Sequence, residues 1–113
     1  MSDLPIPERH RKMPENPAVI EELNGVLSED KRRVRVNIVL SNGTTHPDLE
    51  LILNDANELE LSRTSVFENF GPGFAFTMHI RQPKVKFPLS LTCQVNYLDD
   101  QVYSEKKITI DNI

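Results

Sequence analysis

From Arg33 to Ile110 the apolar residues recur at every second position, broken by short polar clusters. Val34, Val36, Ile38 and Leu40 alternate with Arg33, Arg35 and Asn37, which predicts a strand with one buried face. Leu49, Leu51 and Leu53 predict a second strand, and Leu59 and Leu61 begin its return after a turn at Asn54-Asp55-Ala56-Asn57. Phe74, Phe76, Met78 and Ile80 face one way, with Ala75, Thr77, His79 and Arg81 facing the other. Leu89, Leu91, Cys93, Val95 and Tyr97 repeat the pattern, Leu98-Asp99-Asp100-Gln101 turns it, and residues 102–110 return to end on Ile108 and Ile110. Residues 41–47 read as a loop around Asn42-Gly43, and Pro83 and Pro88 bracket a connection. Residues 64–73 break the rhythm and close on Gly71-Pro72-Gly73.

The stretch before Arg33 obeys a different spacing. Val19, Ile20, Leu23, Val26 and Leu27 recur at helical intervals, Asn16 suits a helix cap and Pro17 the first helical position. Gly25 weakens a helix or marks its end. This segment is either one short helix or an irregular first strand. Residues 1–17 carry Pro5, Pro7, Pro14 and Pro17 around the basic run Arg9-His10-Arg11-Lys12. So many prolines and so little apolar surface predict a flexible N-terminal tail. A docking peptide is the functional alternative there.

Helical periodicity is too scarce for strand–helix–strand units. Strands with one apolar face each bury it best as two packed sheets. The prediction is an all-β chain: an antiparallel β-sandwich of six to seven strands over residues 18–113, behind the tail.

Length agrees, since 113 residues suit one domain. A chain of that size buries roughly two-thirds of its unfolded surface, so it needs no disulfide or metal to hold a core. Cys93 is the only cysteine, which rules out an intramolecular disulfide and favours a reducing compartment. Met1-Ser2-Asp3-Leu4-Pro5 lacks the basic and apolar regions of a secretory signal, and no run is long and apolar enough to span a membrane. Cytoplasmic placement is the resulting expectation, although a piece of a larger protein would read the same way.

Residues 33–110 resemble immunoglobulin-like sandwiches. The residues that carry the likeness are Val36 to Gly43, Asp48 to Asp55 with Glu60-Leu61-Ser62-Arg63, Gly71-Pro72-Gly73-Phe74, and Val95-Asn96-Tyr97 before an acidic turn. With no Trp and no cysteine pair the chain departs from antibody-type domains. The resemblance implies a fold that hosts many roles and selects none.

Candidate chemistry is sparse. His10, His46, His79 and Cys93 occur at no metal-ligand spacing, and Asp99-Asp100 lacks a calcium-loop pattern. No cofactor is expected. Cys93 falls in the inward register of its strand, where a small buried hydrophobe is the better reading than a nucleophile. Gly71-Pro72-Gly73 is followed by neither Lys-Ser/Thr nor a helix start, so it does not cradle phosphate.

Two surfaces remain. Lys31-Arg32-Arg33 with Arg35 puts Arg33 and Arg35 on the outward face of the first clear strand, and Lys84, Lys86, Lys106 and Lys107 suggest a second basic patch. Basic strands with stacking aromatics bind single-stranded nucleic acid, but Phe74 and Phe76 read as core and the net charge is −4, which disfavours that partner. Phe67 and Phe70 either cap an open end of the sandwich or present an apolar patch to a partner. Burying a phenylalanine contributes roughly 1.5–3 kcal/mol, so capping is the first expectation. The sequence thus points to a non-enzymatic protein-interaction or accessory module with an unidentified protein partner. The alternative is a ligand-binding sandwich for carbohydrate or nucleic acid, with Tyr97 and Tyr103 as its plausible aromatics.

Overall fold

Seven strands form in the computed structural model, which describes residues 17–41, 47–67, 73–98 and 101–112. They are β1 (Val19–Leu27), β2 (Arg33–Ser41), β3 (Asp48–Asn54), β4 (Glu60–Val66), β5 (Gly73–His79), β6 (Leu89–Leu98) and β7 (Gln101–Ile110). One sheet has the order β1-β2-β5 and the other β4-β3-β6-β7, with every pairing antiparallel. The chain changes sheet after β2, β4 and β5, so neither sheet is built from a continuous stretch of sequence. Most of the expected tail, residues 1–16, lies outside the described residues, as does Phe70.

Alternation sets the core. Val34, Val36, Ile38 and Leu40 of β2 face Leu49, Leu51 and Leu53 of β3 and Leu89, Leu91, Cys93 and Val95 of β6, and each of these is at most 2% exposed. Their apolar surface is shared between the two sheets, since neither row can be dry without the other. Tyr97 closes one end of the sandwich. Its hydroxyl accepts the Ala18 amide at 2.6 Å, joining β6 to the residue before β1.

No helix forms among the described residues, and the 19–27 segment is the irregular strand. Its misleading spacing has a physical cause. The register against β2 shifts between Ile20 and Glu22, so a bulge inserts one residue and sets buried Ile20 and Leu23 three apart rather than two. After Leu23 the alternation resumes through Gly25 and Leu27, which turns Val26 outward and leaves it 61% exposed. Val19, ahead of the bulge, is also on the outer side. Gly25 lies where β1 meets β7: a Cβ there would lie 2.7 Å from Cδ1 of Ile110, so that side chain would have to shift.

β4 starts later and ends later than its apolar residues suggest. Leu59 is half exposed in the turn, and Leu61 is the buried residue that opens the strand. Thr64, Ser65 and Val66 continue it, pairing with Leu51, Glu50 and Leu49. The inward positions Ser62 and Thr64 are polar, so no alternation shows in the sequence.

Two turns are fixed by carboxylates. In the β1–β2 turn, Asp30 accepts the Ser28 hydroxyl at 2.5 Å and the Arg32 amide at 3.0 Å, holding Lys31 at a φ of 61°. In the β3–β4 turn, buried Asp55 accepts the Asn57 amide at 2.8 Å and the Leu59 amide at 3.0 Å. Glu58 there has a φ of 65°, in the left-handed region that non-glycine residues seldom occupy. The amide donors, Leu59 first, hold the Asp55 carboxyl below the usual range, against the opposing effect of burial. A lowered folded-state value means that the stabilisation is complete above the unfolded value near 3.8 and is lost as pH falls through the folded one. Asp55→Asn should therefore lower the thermal midpoint at neutral pH, and the gap from the unsubstituted protein should close on acidification through that window. A gap that stays constant from pH 7 to pH 2.5 would show that the charge of Asp55 does not hold the turn.

Candidate functional site

The outer faces of the two sheets differ in how well their charges are satisfied. On the four-stranded sheet, Arg63 donates to Glu50 at 2.6 Å and to Glu60 at 2.8 Å, and the Ser65 hydroxyl donates to Glu50 at 2.6 Å. Gln94 donates to Glu105 at 2.8 Å across β6 and β7. Glu50 with Ser65, and Gln94 with Glu105, are directly opposite by register, Arg63 is diagonal to Glu50, and Glu60 and Arg63 lie on the same strand. The Glu60 carboxyl is held down by Arg63, and the Arg63 guanidinium is held more firmly protonated by Glu60 and Glu50.

Among the described residues the three-stranded sheet has no such network. Its outward rows run Val26–Arg35–Thr77 and Asn24–Asn37–Ala75, with Arg33 opposite His79. Arg33 and Arg35 both face solvent, as the alternation of β2 requires. Arg33 sits 3.6 Å from Asp30, an exposed pair worth little. Arg35 has no ion pair among the described residues. It borders a shallow groove of about 270 Å³ lined also by Val26, Leu27, Ser28, Arg33 and Thr77. The result is a guanidinium beside an exposed valine, arranged to take a carboxylate with an apolar neighbour.

The rest of the basic cluster is dispersed. Arg32 donates to the carbonyl oxygens of Gln82 and Pro83, tying the β1–β2 turn to the 80–88 connection, and Lys31 donates to the Asn112 side chain. Lys84 and Lys86 lie on that connection, whose Lys86 carbonyl accepts the Ala56 amide beside the β3–β4 turn. Lys106 and Lys107 are on β7, at the far edge of the same sheet. The lysines of the second basic patch suggested by the sequence thus come from two separate elements. A larger groove, about 420 Å³, lies between β1 and the end of β7, and its mixture of Glu29, Lys31 and Asp111 favours neither sign of charge.

Phe67 corrects the capping expectation: it is 76% exposed. Val66 pairs with buried Leu49 on the inward side, so the next residue must point out. Phe70 lies outside the described residues, so the two are not shown together. Val26 was the residue that sequence spacing misplaced, because the bulge at Glu21 hides the true period. The one available signal was Gly25, which fits a strand that approaches another closely as well as it fits a helix end.

Among the described residues no three His, Cys, Asp or Glu side chains converge as metal ligands, and no helix is long and apolar enough to cross a membrane. His79 is exposed on β5, and Cys93 is fully buried.

No protein-family profile matches the chain, and no curated protein matches it in sequence. Its fold is similar to part of a glycosyl hydrolase family 2 member from Bacteroides cellulosilyticus DSM 14838, with a TM-score of 0.58 and 20% identity over 85% of this chain. It is also similar to part of a Ruminococcus gnavus β-glucuronidase, with a TM-score of 0.51 and 11% identity over 83% of this chain. The chain spans 15% of the length of each glycosidase. At these identities the likeness is one of fold.

Burial pushes the Cys93 thiol up to about 12. At pH 8 almost none of it is thiolate, and the sheets shield the sulfur. An aromatic disulfide reagent should leave the folded protein unmodified over hours and titrate one thiol at once in denaturant. Rapid labelling of the folded protein would mean that β6 opens readily.

Proposed function

We propose that this chain is a non-enzymatic, immunoglobulin-like accessory module that binds a protein partner through the outer face of its three-stranded sheet. The observation that carries the reading is the contrast between the two faces. The four-stranded sheet spends its charges on itself, whereas Arg35 stands without an ion pair among the described residues, beside exposed Val26. A partner presenting Asp or Glu next to an apolar side chain would satisfy both. An accessory role is read from the likeness, which spans only 15% of the length of the glycosidase. A lone buried cysteine suits a reducing, cytoplasmic setting.

A carbohydrate platform is the second reading, favoured because the two structural neighbours are glycosidases. Flat aromatic rings exposed side by side would carry it. Tyr103 is 46% exposed, but its ring packs edge to face against buried Tyr97 at 6.2 Å rather than lying flat to solvent. Phe67 is at the end of β4, on the far edge of that sheet from β7. Among the described residues the exposed aromatics Phe67 and Tyr103 do not form a row and the stacked Phe74 and Phe76 are half buried, so protein binding is the reading we favour.

Replacing Arg33 and Arg35 together by Glu tests the reading. The stability cost should stay within about 1 kcal/mol, because both side chains are exposed. Affinity capture from the native host, followed by mass spectrometry, should recover a protein that the double variant loses. Recovery of the same proteins by both forms would discard this face, and retention of glycan or nucleic acid alone would discard the protein reading.

A further inference from the structure

The sandwich has four strand edges, and three of them are guarded. β1 carries a bulge with exposed Glu21 and Glu22 and lies against β7. β4 carries a register shift and exposed Glu60 and Arg63. β7 carries two register shifts and exposed Glu105, Lys106 and Lys107. Bulges and charges of this kind prevent edge-to-edge pairing. β5 has neither. Its sequence, Gly-Phe-Ala-Phe-Thr-Met-His, holds no Asp, Glu, Lys, Arg or Pro, and its register against β2 runs without a shift from Arg33 opposite His79 to Val39 opposite Gly73.

The free hydrogen-bonding groups of this edge can be assigned. The Ile80 amide donates to the Arg32 carbonyl at 2.8 Å, which makes Arg32 and Ile80 a hydrogen-bonded pair. In an antiparallel ladder such pairs alternate, so Phe74, Phe76 and Met78 direct their amides and carbonyls toward β2. Gly73, Ala75, Thr77 and His79 direct theirs away, and all four residues are exposed. No described residue outside β2 hydrogen-bonds to β5. Beside this edge, Phe74 and Phe76 are only half buried, with rings 5.7 Å apart and 19° from parallel.

We propose that β5 pairs with β5 of a second copy of this chain, forming a two-fold dimer whose three-stranded sheets join into one six-stranded sheet. The strand is self-complementary about Phe76. Antiparallel pairing centred there sets Ala75 opposite Thr77 of the second copy and Gly73 opposite His79, which satisfies the outward groups of all four residues. Phe76 meets its own counterpart as a non-hydrogen-bonded pair, the closer kind, and Phe74 meets Met78. Each half-buried ring gains an apolar neighbour. The absence of Asp, Glu, Lys and Arg from β5 means that the pairing places no like formal charges face to face, which the net charge of −4 would otherwise make costly. The interface is isologous and therefore closes at two copies.

Sedimentation equilibrium of the full chain over a range of concentrations tests this. The expected result is a reversible association from 12.9 kDa to twice that mass. Ala75→Pro removes an amide that points away from β2, and it should abolish the dimer while leaving the β-sheet circular dichroism unchanged. Should that variant fold poorly, Thr77→Lys puts a charge on the same edge and should weaken association at least about tenfold. Mixing Ala75→Cys with Thr77→Cys under mild oxidation should give the mixed disulfide in preference to either homodimer. The Arg33 and Arg35 double variant should dimerise normally, so loss of partner binding and loss of the dimer are separable. A chain that remains at 12.9 kDa up to its solubility limit, or a dimer indifferent to both edge variants, would overturn the proposal.

Discussion

The inner strands each have one apolar row, and that row must be covered by the opposite sheet. The constraint is strongest along β2, β3 and β6, whose inward residues are essentially dry. They are the inner strands of their sheets, so hydrogen bonds hold them on both sides while packing holds them from one face. The outer strands depend on them. β1, β4, β5 and β7 each pair with only one of these three, and three of the four accommodate their exposed side with bulges, polar inward residues or charges. Tyr97 adds a cross-link of a different kind, a buried hydroxyl reaching the backbone where β1 begins.

This dependence explains what could be read from the sequence. β2, β3 and β6 were legible because an inner strand with one wet face must alternate strictly, and Val34 to Leu40, Leu49 to Leu53 and Leu89 to Tyr97 do so. β1 was ambiguous between helix and strand because one inserted residue turns a spacing of two into a spacing of three. β4 was blurred because Ser62 and Thr64, at the sandwich margin, tolerate partial exposure and need not be apolar. The same logic separates the candidate surface into a visible and a hidden part. The outward direction of Arg33 and Arg35 follows from the parity of β2. The exposure of Val26 beside Arg35 depends on the bulge and on which strand pairs with β2, neither of which periodicity contains. Phe67 went the other way: its hydrophobicity argued for burial, but the parity set by Leu49 opposite Val66 decided its direction.

The two outer faces show how similar strands can carry different electrostatic roles. Glu50, Arg63 and Ser65 are brought together by adjacent strands and satisfy one another, which leaves that face solvated and indifferent. Arg35 has Val26 and Thr77 as its lateral neighbours, and neither offers a carboxylate. Asp30, in the β1–β2 turn, is already engaged by Ser28, Arg32 and Arg33 and is held below its usual range chiefly by the Ser28 hydroxyl, then by the Arg32 amide. A surface guanidinium with no ion-pair partner among the described residues costs the fold little, so nothing in stability selects against leaving it for a second molecule.

The face and the edge also have a geometric relation. Pairing of two β5 strands about an axis normal to the sheet keeps both outward faces on the same side of the joined sheet. Arg35 shares a row with Thr77, and that row continues into Ala75 and Asn37 of the second copy. The two Arg35 side chains are then three strand spacings apart and offset by two residues, a separation of about 16 Å at the α-carbons. Two weak guanidinium sites at that distance on one continuous surface would engage an acidic partner bivalently, and the second contact would form at the effective concentration set by the first. A single Arg35 site is too slight to bind tightly alone. Joined through β5, the same residues would bind tightly only a partner whose carboxylates match the spacing, so the edge would set both strength and selectivity for the face.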